Sequence, residues 1–361
     1  MLQKFEPDVS VIVKALNEEQ HIASAIESAL AALAGMNGEV ILADGASTDR
    51  TVEVAGRYPI KIVRLTDIQD RSCGAGAQLG FQYSRGRYLC LIDGDMRLHK
   101  EFLPAAIRFL EANPTAAGVG GIIIERETGN LEFVQRSSRH DRGRQPGPVS
   151  CLDCSGVYRR SAIQSVGYLT DRNLHAGEEL DLGARLHARG WMLARMGVPA
   201  VDHHGHPGSA FALLLGRFAT RLSLGMGETL RAAIGRSHFW FIVRNDRKLI
   251  LALLVAAWWP VLLAIPFVLS GVAAAVAAGM IFLLPVAAMS VRWRSIQHGI
   301  YCVAAWNAFA LSFLPGLLRR RTPPTQWIKS IVVQQGPTVT PALANVLSAR
   351  TRSDGDSSTR P

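Results

Sequence analysis

YLCLIDGDMRLH (residues 88–99) opens as an apolar run with strand character and ends in two carboxylates, Asp93 and Asp95, separated only by Gly94. A buried strand that terminates in paired negative charges needs something to neutralise them. Gly94 reads as the residue that lets the chain turn, so that both side chains approach one object. Hard oxygen ligands of this kind suit Mg²⁺ or Mn²⁺, an ion that commonly bridges diphosphate oxygens. Asp-Gly is also a common solvated turn; its place at the end of an apolar strand favours the metal.

Working upstream, residues 9–13 form a β-branched apolar run, followed by Leu16, Asn17 and Glu18. Residues 21–33 carry Ile22, Ala25, Ile26, Ala29 and Leu33 at helical spacing. A second strand, 40–42, runs into Asp44 and Gly45, and Ser47, Thr48 and Asp49 are N-cap candidates for a helix over 51–56. A strand at 60–65 and a helix at 75–84 lead back to the opening stretch. Strands alternating with helices predict an α/β domain with a parallel sheet covered on both faces. Ligands bind beyond the carboxyl ends of such strands. Asn17, Glu18, Asp44, Asp93 and Asp95 all fall there, which predicts a binding site on that rim.

Downstream, HAGEELDLGARLHARGW (residues 175–191) reads as a helix over about 179–189 with Glu178, Glu179 and Asp181 crowded into its first turn. Acidic residues suit a helix N-terminus in any protein. Three together go further: a carboxylate held near others has its pKa raised, which suits a general base.

The chain has 361 residues and a formal charge of +10. Up to residue 243 there are 27 basic against 26 acidic residues; beyond it there are 12 against 3. The excess is confined to the C-terminal third and is not a nucleic-acid-binding face. That third is also very apolar, with no charged residue over 249–291 and another uncharged run over 299–318. Spans at about 249–269, 272–290 and 300–318 are long enough to cross a bilayer. Arg244, Arg247 and Lys248 before the first run, and Arg292 and Arg294 after the second, place both ends of a hairpin on the cytoplasmic side. A third full crossing puts Arg319, Arg320 and Arg321 outside, against that rule, so two and three spans both stay open. The opening MLQKFEPDVS lacks the apolar core of a signal peptide, and five cysteines agree with a reducing compartment. The expected location is therefore the inner membrane, multi-pass, with the front domain in the cytoplasm. The Cys151/Cys154 CxxC is by itself a weak zinc or redox signal.

VSVIVKALNEE, ILADGASTDRT, LCLIDGDM and GEELDLGARLHARGW, in this order and at this spacing, resemble family 2 glycosyltransferases of the membrane-anchored bacterial type. The resemblance covers about residues 8–240. It implies a GT-A, Rossmann-like nucleotide-sugar-binding domain over 1–240, followed by C-terminal transmembrane helices within 249–318 and a basic, partly disordered tail over 319–361. It implies an inverting, metal-dependent hexosyl transfer from a nucleotide sugar, a UDP-sugar by preference, to a membrane-associated lipid or saccharide acceptor. Leu16, Asn17 and Glu18 would line the nucleoside pocket, Asp44 would meet the base, and Arg71 would serve the phosphates. Asp93 and Gly94 would lie against the donor, and Asp93 and Asp95 would hold Mn²⁺ or Mg²⁺. His204, from the His203-His204-Gly205-His206 run, is a further metal candidate. Glu179 would be the catalytic base, with Glu178 and Asp181 as alternatives, because the family's usual Asp is here the longer Glu179. Two departures matter. Ala77-Gln78-Leu79-Gly80 lacks the family's Arg-Asn, and no Gln-x-x-Arg-Trp box follows, so a single transfer is favoured over polymerisation. A polyprenyl-phosphate acceptor and a non-catalytic membrane scaffold are the alternatives. Residues 210–235 read as an amphipathic helix on the membrane, and the Arg-rich 127–148 segment, with Arg136, Arg139, Arg142 and Arg144, as a flexible acceptor-facing loop.

Overall fold

The computed structural model describes residues 7–337, apart from 128, 143, 144, 154, 206 and 207. Cys154, His206, Arg144, the side chains of Arg136, Arg139 and Arg142, and the end of the tail lie outside the described residues.

The first half runs β1 (Val9–Ala15), α1 (Ile22–Ala32), β2 (Gly38–Asp44), α2 (Thr51–Ala55), β3 (Lys61–Leu65), α3 (Cys73–Tyr83), β4 (Tyr88–Asp93), β5 (Met96–Leu98), α4 (Phe102–Ala112) and β6 (Ala116–Glu125). It continues through α5 (Leu131–Arg142), β7 (Gly147–Val149), β8 (Gly156–Arg159), α6 (Arg160–Ser165), α7 (Glu178–His187), β9 (Met192–His203), α8 (Ala210–Ala219), α9 (Gly225–Ala233) and α10 (Phe239–Asn245). Three long helices follow, α11 (Arg247–Val268), α12 (Gly271–Trp293) and α13 (Ile296–Leu318), and then β10 (Ser330–Gln334).

The strands form one mixed sheet in the order β10-β3-β2-β1-β4-β8-β6-β9-β5, with β7 on β9. β3, β2, β1 and β4 are parallel to one another, and β8 joins β4 antiparallel. The chain winds outward from β1 to β3 and then returns to the other side of β1 with β4. This makes the β1/β4 boundary a topological switch point, where strand ends splay and leave a crevice. Register fixes what lines it: Lys14 pairs with Asp93 and Ala15 with Asp44. Val9, Val11 and Val13 pack on one face with α1 and α4, and Ile12 packs on the other with Ala77, Leu89 and Tyr158. Burial of both faces explains why β1 reads as a near-continuous apolar run.

Three expectations change. The 127–148 segment contains a helix, α5, where a loop was expected. Asn130 caps it, its Oδ1 accepting from the N–H groups of Glu132 and Phe133 at 3.0 Å, and Phe133 is buried against Gly205 and His203. The 210–235 stretch is two helices, α8 and α9, broken where Arg221 adopts a left-handed φ of 62°. The tail returns to the domain, and β10 pairs antiparallel with β3 at the sheet edge.

The three long helices are each long and apolar enough to cross a membrane. None of the residues of α12 is buried, and apolar side chains such as Phe267, Val272 and Leu284 are open to the surroundings.

Candidate active site

A cavity of about 940 Å³ opens at the switch point. Lys14, Leu16, Asp93, Asp95, Glu178 and Glu179 line one part, and Arg217, Thr220, Leu222 and Lys248 line the part beside the foot of α11.

Asp93 ends β4, and Asp95 follows in the link to β5. Residues two apart on an extended chain share a face, and Gly94 is not in the left-handed region. Gly94 therefore serves close approach rather than a special turn. A Cβ there would lie 2.9 Å from the Cβ of Ala15 and 2.9 Å from the Cγ of Glu18. Burial pushes the Asp93 carboxyl up to about 6, against the pull of Lys14 and with the push of Asp95.

Lys14 is the residue the sequence reading missed. Its Nζ lies 3.2 Å from Asp93 Oδ1 and 3.1 Å from Glu178 Oε1. Burial opposes its charge, yet Asp93 and Glu178 hold its pKa well above the ordinary lysine value. The signal was present: a lone lysine in an otherwise apolar strand must find buried carboxylates.

α7 supplies the other side of the cavity. Gly177 precedes it with φ of 85°, a left-handed conformation that favours glycine, and starts the helix beside Thr229. Glu178 is buried and paired with Lys14; Glu179 is half-buried and faces the cavity. Burial first, and then the neighbouring Glu178 charge, push the Glu179 carboxyl up to about 8. Asp181 points elsewhere: it is buried and accepts from Arg185 Nε at 2.8 Å, while Arg185 also donates to the carbonyls of Tyr168 and Leu169. Of the three acidic candidates, the structure brings Glu178 and Glu179 together and places Asp181 in a helix-anchoring ion pair.

On the β1/β2 side, Asn17 sits at a left-handed φ of 58°. Its Oδ1 accepts from the Thr48 N–H at 2.8 Å, and its own N–H donates to Ser47 Oγ at 2.9 Å. The loops after β1 and β2 are thus tied together. Asp44 is fully buried, accepting from the Ser47 N–H at 3.2 Å with Arg64 Nε 3.3 Å away. Arg71 donates to the carbonyls of Gly45 and Ala46 at 2.9 and 2.7 Å. Glu18 is buried with its N–H on Thr51 Oγ1 at 2.7 Å, and Leu16 lines the cavity. Asp44 and Arg71 therefore shape this rim through its backbone.

At Asp95 the structure puts the ring of His203, rather than that of His204. His203 Nε2 lies 3.2 Å from Asp95 Oδ2 and Nδ1 lies 2.7 Å from Glu125 Oε2. His204 donates its backbone N–H to the Asp95 carbonyl at 2.9 Å and stacks its ring on His21. Among the described residues, no group of three His, Cys, Asp or Glu side chains is arranged to hold an ion alone. Asp93 and Asp95 nevertheless suit an ion whose remaining ligands are water and diphosphate oxygens, the usual mode for Mg²⁺.

Residues 10–167 match the family model "Glycosyl transferase family 2". Dolichol-phosphate mannosyltransferase of Pyrococcus furiosus is 28% identical over 107 residues, 28% of this chain and 30% of that protein. Dodecaprenyl-phosphate galacturonate synthase of Rhizobium johnstonii is 32% identical over 111 residues, 29% of this chain and 32% of that protein. The chain thus spans about a third of the length of these relatives. The mannosyltransferase PcManGT from Pyrobaculum calidifontis, solved with GDP-Man and Mn²⁺, superposes with a TM-score of 0.55 at 17% identity, covering 86% of this chain and 88% of that one. The mixed sheet is a GT-A fold. Residues 10–167 are thus similar to glycosyltransferase family 2, and three long apolar helices lie in the C-terminal part of the chain.

Proposed function

We propose that the protein moves one sugar from a nucleoside-diphosphate sugar, a UDP-sugar by preference, to a membrane-associated lipid or saccharide acceptor, inverting the anomeric carbon. The observation that carries this reading is the continuity of the cavity, from Asp93, Asp95 and Glu179 to Arg217, Leu222 and Lys248 at the foot of an apolar helix. A donor at the carboxylate end and an acceptor entering from the membrane end would meet beside Glu179.

Leu16, Asn17 and Glu18 line the nucleoside side, with Asp44 and Arg71 holding its loop. Asp93 and Asp95 would hold Mn²⁺ or Mg²⁺, which would supply positive charge to the departing diphosphate. Glu179 takes the proton of the acceptor hydroxyl. The oxygen bonds to the anomeric carbon as the bond from that carbon to the diphosphate oxygen breaks, and the nucleoside diphosphate leaves. A base must be ionised to act, and a carboxyl raised to about 8 binds the transferred proton well. The cationic ends of α11 and α12, with Arg244, Lys248, Arg292 and Arg294, favour a catalytic domain on the cytoplasmic side of an inner membrane.

A second reading, transfer to a polyprenyl phosphate, is favoured by Arg217 and Lys248 in the same cavity and by the two relatives named for polyprenyl-phosphate substrates. A phosphate oxygen is already ionised and needs no base. The test is thermal stability of the detergent-purified chain against UDP and GDP with and without Mn²⁺, followed by transfer assays with a hydroxyl glycolipid and with a polyprenyl phosphate. A Mn²⁺-dependent shift that Asp95→Ala abolishes supports the donor site. Transfer to the phosphate that survives Glu179→Gln selects the second reading. A folded sample with no nucleotide shift would leave only a scaffold role.

A further inference from the structure

α13 is as long as α12 and apolar enough to cross a bilayer. We propose that it does not cross. It lies lengthwise on the catalytic domain at the membrane surface, while α11 and α12 alone form the spanning hairpin.

The first argument is burial. His298, Tyr301, Ala305, Ala308, Ser312 and Gly316 are buried, at steps of three or four residues that trace one face of the helix from end to end. His298 stacks on Trp293 of α12, and from Tyr301 to Gly316 what covers that face is the domain. Near its start, the Tyr301 hydroxyl donates to Glu132 Oε2 at 3.3 Å, Gln135 donates to Cys302 Sγ at 3.1 Å, and Phe211 meets the Tyr301 ring edge-on. Near its end, Gly316 packs on the Leu224 carbonyl and on Gly227, and Arg319 Nη1 lies 2.8 Å from Glu228 Oε1. The covering helices carry Glu132, Arg217, Glu228 and Arg231, groups too costly to line a helix through a hydrocarbon core.

The second argument is connectivity. A third crossing would carry the chain beyond α13 to the opposite side of the membrane from the start of α11. The chain after α13 instead continues over the catalytic domain. Arg321 pairs with Asp171, Thr322 donates its N–H to Asn173 Oδ1 at 2.7 Å, and the Gln326 carbonyl accepts from Arg172 at 3.0 Å. It ends as β10 on β3. Both ends of α13 are therefore on the domain's side. The Arg319–Arg321 cluster, anomalous for a third span, obeys the positive-inside rule in this topology.

The partner of the opposite face is an anionic bilayer surface. Ile300, Leu311, Leu314 and Leu318 of α13 are exposed, as are Leu215 and Phe218 of α8. The α11–α12 hairpin exposes apolar side chains as well, and the exposed Arg221, Arg236, Arg292, Arg294 and Arg320 lie close to these helices in sequence. An apolar face with a basic fringe is the composition of an interfacial helix.

The test uses the full chain in sealed vesicles of known orientation with a membrane-impermeant maleimide, reading labelling above that of the unsubstituted protein. Single substitutions are placed at exposed positions in the domain (Glu111→Cys), the α11–α12 turn (Ser270→Cys), the start of α13 (Gln297→Cys) and the strap beyond it (Thr325→Cys). Ser270→Cys should label from one face, and the other three from the opposite face. Thr325→Cys labelling from the Ser270 face would establish a third crossing and overturn the proposal; all four labelling from one face would overturn the hairpin. Should a cysteine variant fail to accumulate, a protease-sensitive tag after Pro361 gives the same answer: digestion from the Glu111 face supports the proposal, and digestion from the other overturns it. Neither readout depends on turnover.

Discussion

Lys14 Nζ lies 3.1 Å from Glu178 Oε1 although 164 residues separate them in the chain. This contact ties the end of β1 to the start of α7, and the same ammonium reaches Asp93. One half-buried cation thus offsets Asp93 at the end of β4 and Glu178 at the start of α7 at once. Lys14→Met would leave Asp93, Glu178 and Glu179 to repel one another. Breaking a fully buried pair costs about 3–5 kcal/mol; with Asp93 partly exposed, a loss of about 2 kcal/mol is expected without metal. Mn²⁺ should restore part of it by taking over the neutralisation. Thermal unfolding of both proteins, with and without Mn²⁺, measures this, and an equal loss in both conditions would reduce Lys14 to packing.

Glu179→Gln should keep donor binding and lower kcat for a hydroxyl acceptor by roughly 10²–10⁴-fold. Because the carboxyl is raised to about 8 in the free protein and the base acts ionised, wild-type kcat/KM should climb as pH rises through that value. Lys14 pulls this pKa down, so in Lys14→Met the climb should move to higher pH. The raised pKa also disfavours folding once the group ionises, so stability conferred by the neutral form is present below about 4.5 and lost as pH rises through 8. Glu179→Gln should therefore unfold at a higher temperature than wild type at pH 9, with a smaller difference at pH 5. A pH–rate profile and paired melting curves check both signs.

Gly94→Ala tests the close approach at the end of β4. Its added methyl meets Ala15 and Glu18 at 2.9 Å, and both neighbours are held in buried backbone. Overpacking of this sort costs about 1–3 kcal/mol. The displaced link should also separate Asp93 from Asp95, so the Mn²⁺-dependent nucleotide shift should fall more than the melting temperature alone accounts for. A variant that melts early but keeps the full shift would show that the two carboxylates do not act as a unit.

The alternation of strands and helices was legible because β1, β2 and β4 are buried on both faces and α1 keeps a helical stripe, so local pattern and tertiary role agree. Asp93, Asp95, Glu178 and Glu179 were legible as strand-end and helix-start acids. Lys14 stood out as a lone cation in an apolar strand, but its pairing with Glu178 did not, since that partner is 164 residues away in sequence. α5 was not legible, because its composition is polar and its helix depends on the Asn130 cap and on seating Phe133 at Gly205. The strap was hidden for a similar reason: the pairing of Ile331 with Arg64 is non-local and leaves no periodic trace in a short edge strand.

Arg319 closes a cluster that links α13 to the segment leading into α7. His175 Nδ1 lies 3.0 Å from Glu228 Oε1, the His175 N–H donates to Glu228 Oε2 at 2.9 Å, and Arg319 Nη1 reaches the same carboxylate at 2.8 Å. Burial works against the Glu228 charge, but the bonds from His175 and Arg319 hold its carboxyl below the usual range. A depressed carboxyl contributes stability that is full above its unfolded value of about 4.5 and fades as pH falls through the folded one. Arg319→Gln should therefore destabilise the protein by about 1–3 kcal/mol near neutrality, and the gap to wild type should narrow in acid as Glu228 protonates in both. Since His175 and Gly177 set the start of the helix bearing Glu179, kcat should fall with little change in the donor KM. Arg319→Lys, which keeps the charge, should recover most of the stability. A gap that stays constant from pH 7 to pH 3 would show that Arg319 acts through packing against α9 and not through the Glu228 carboxylate.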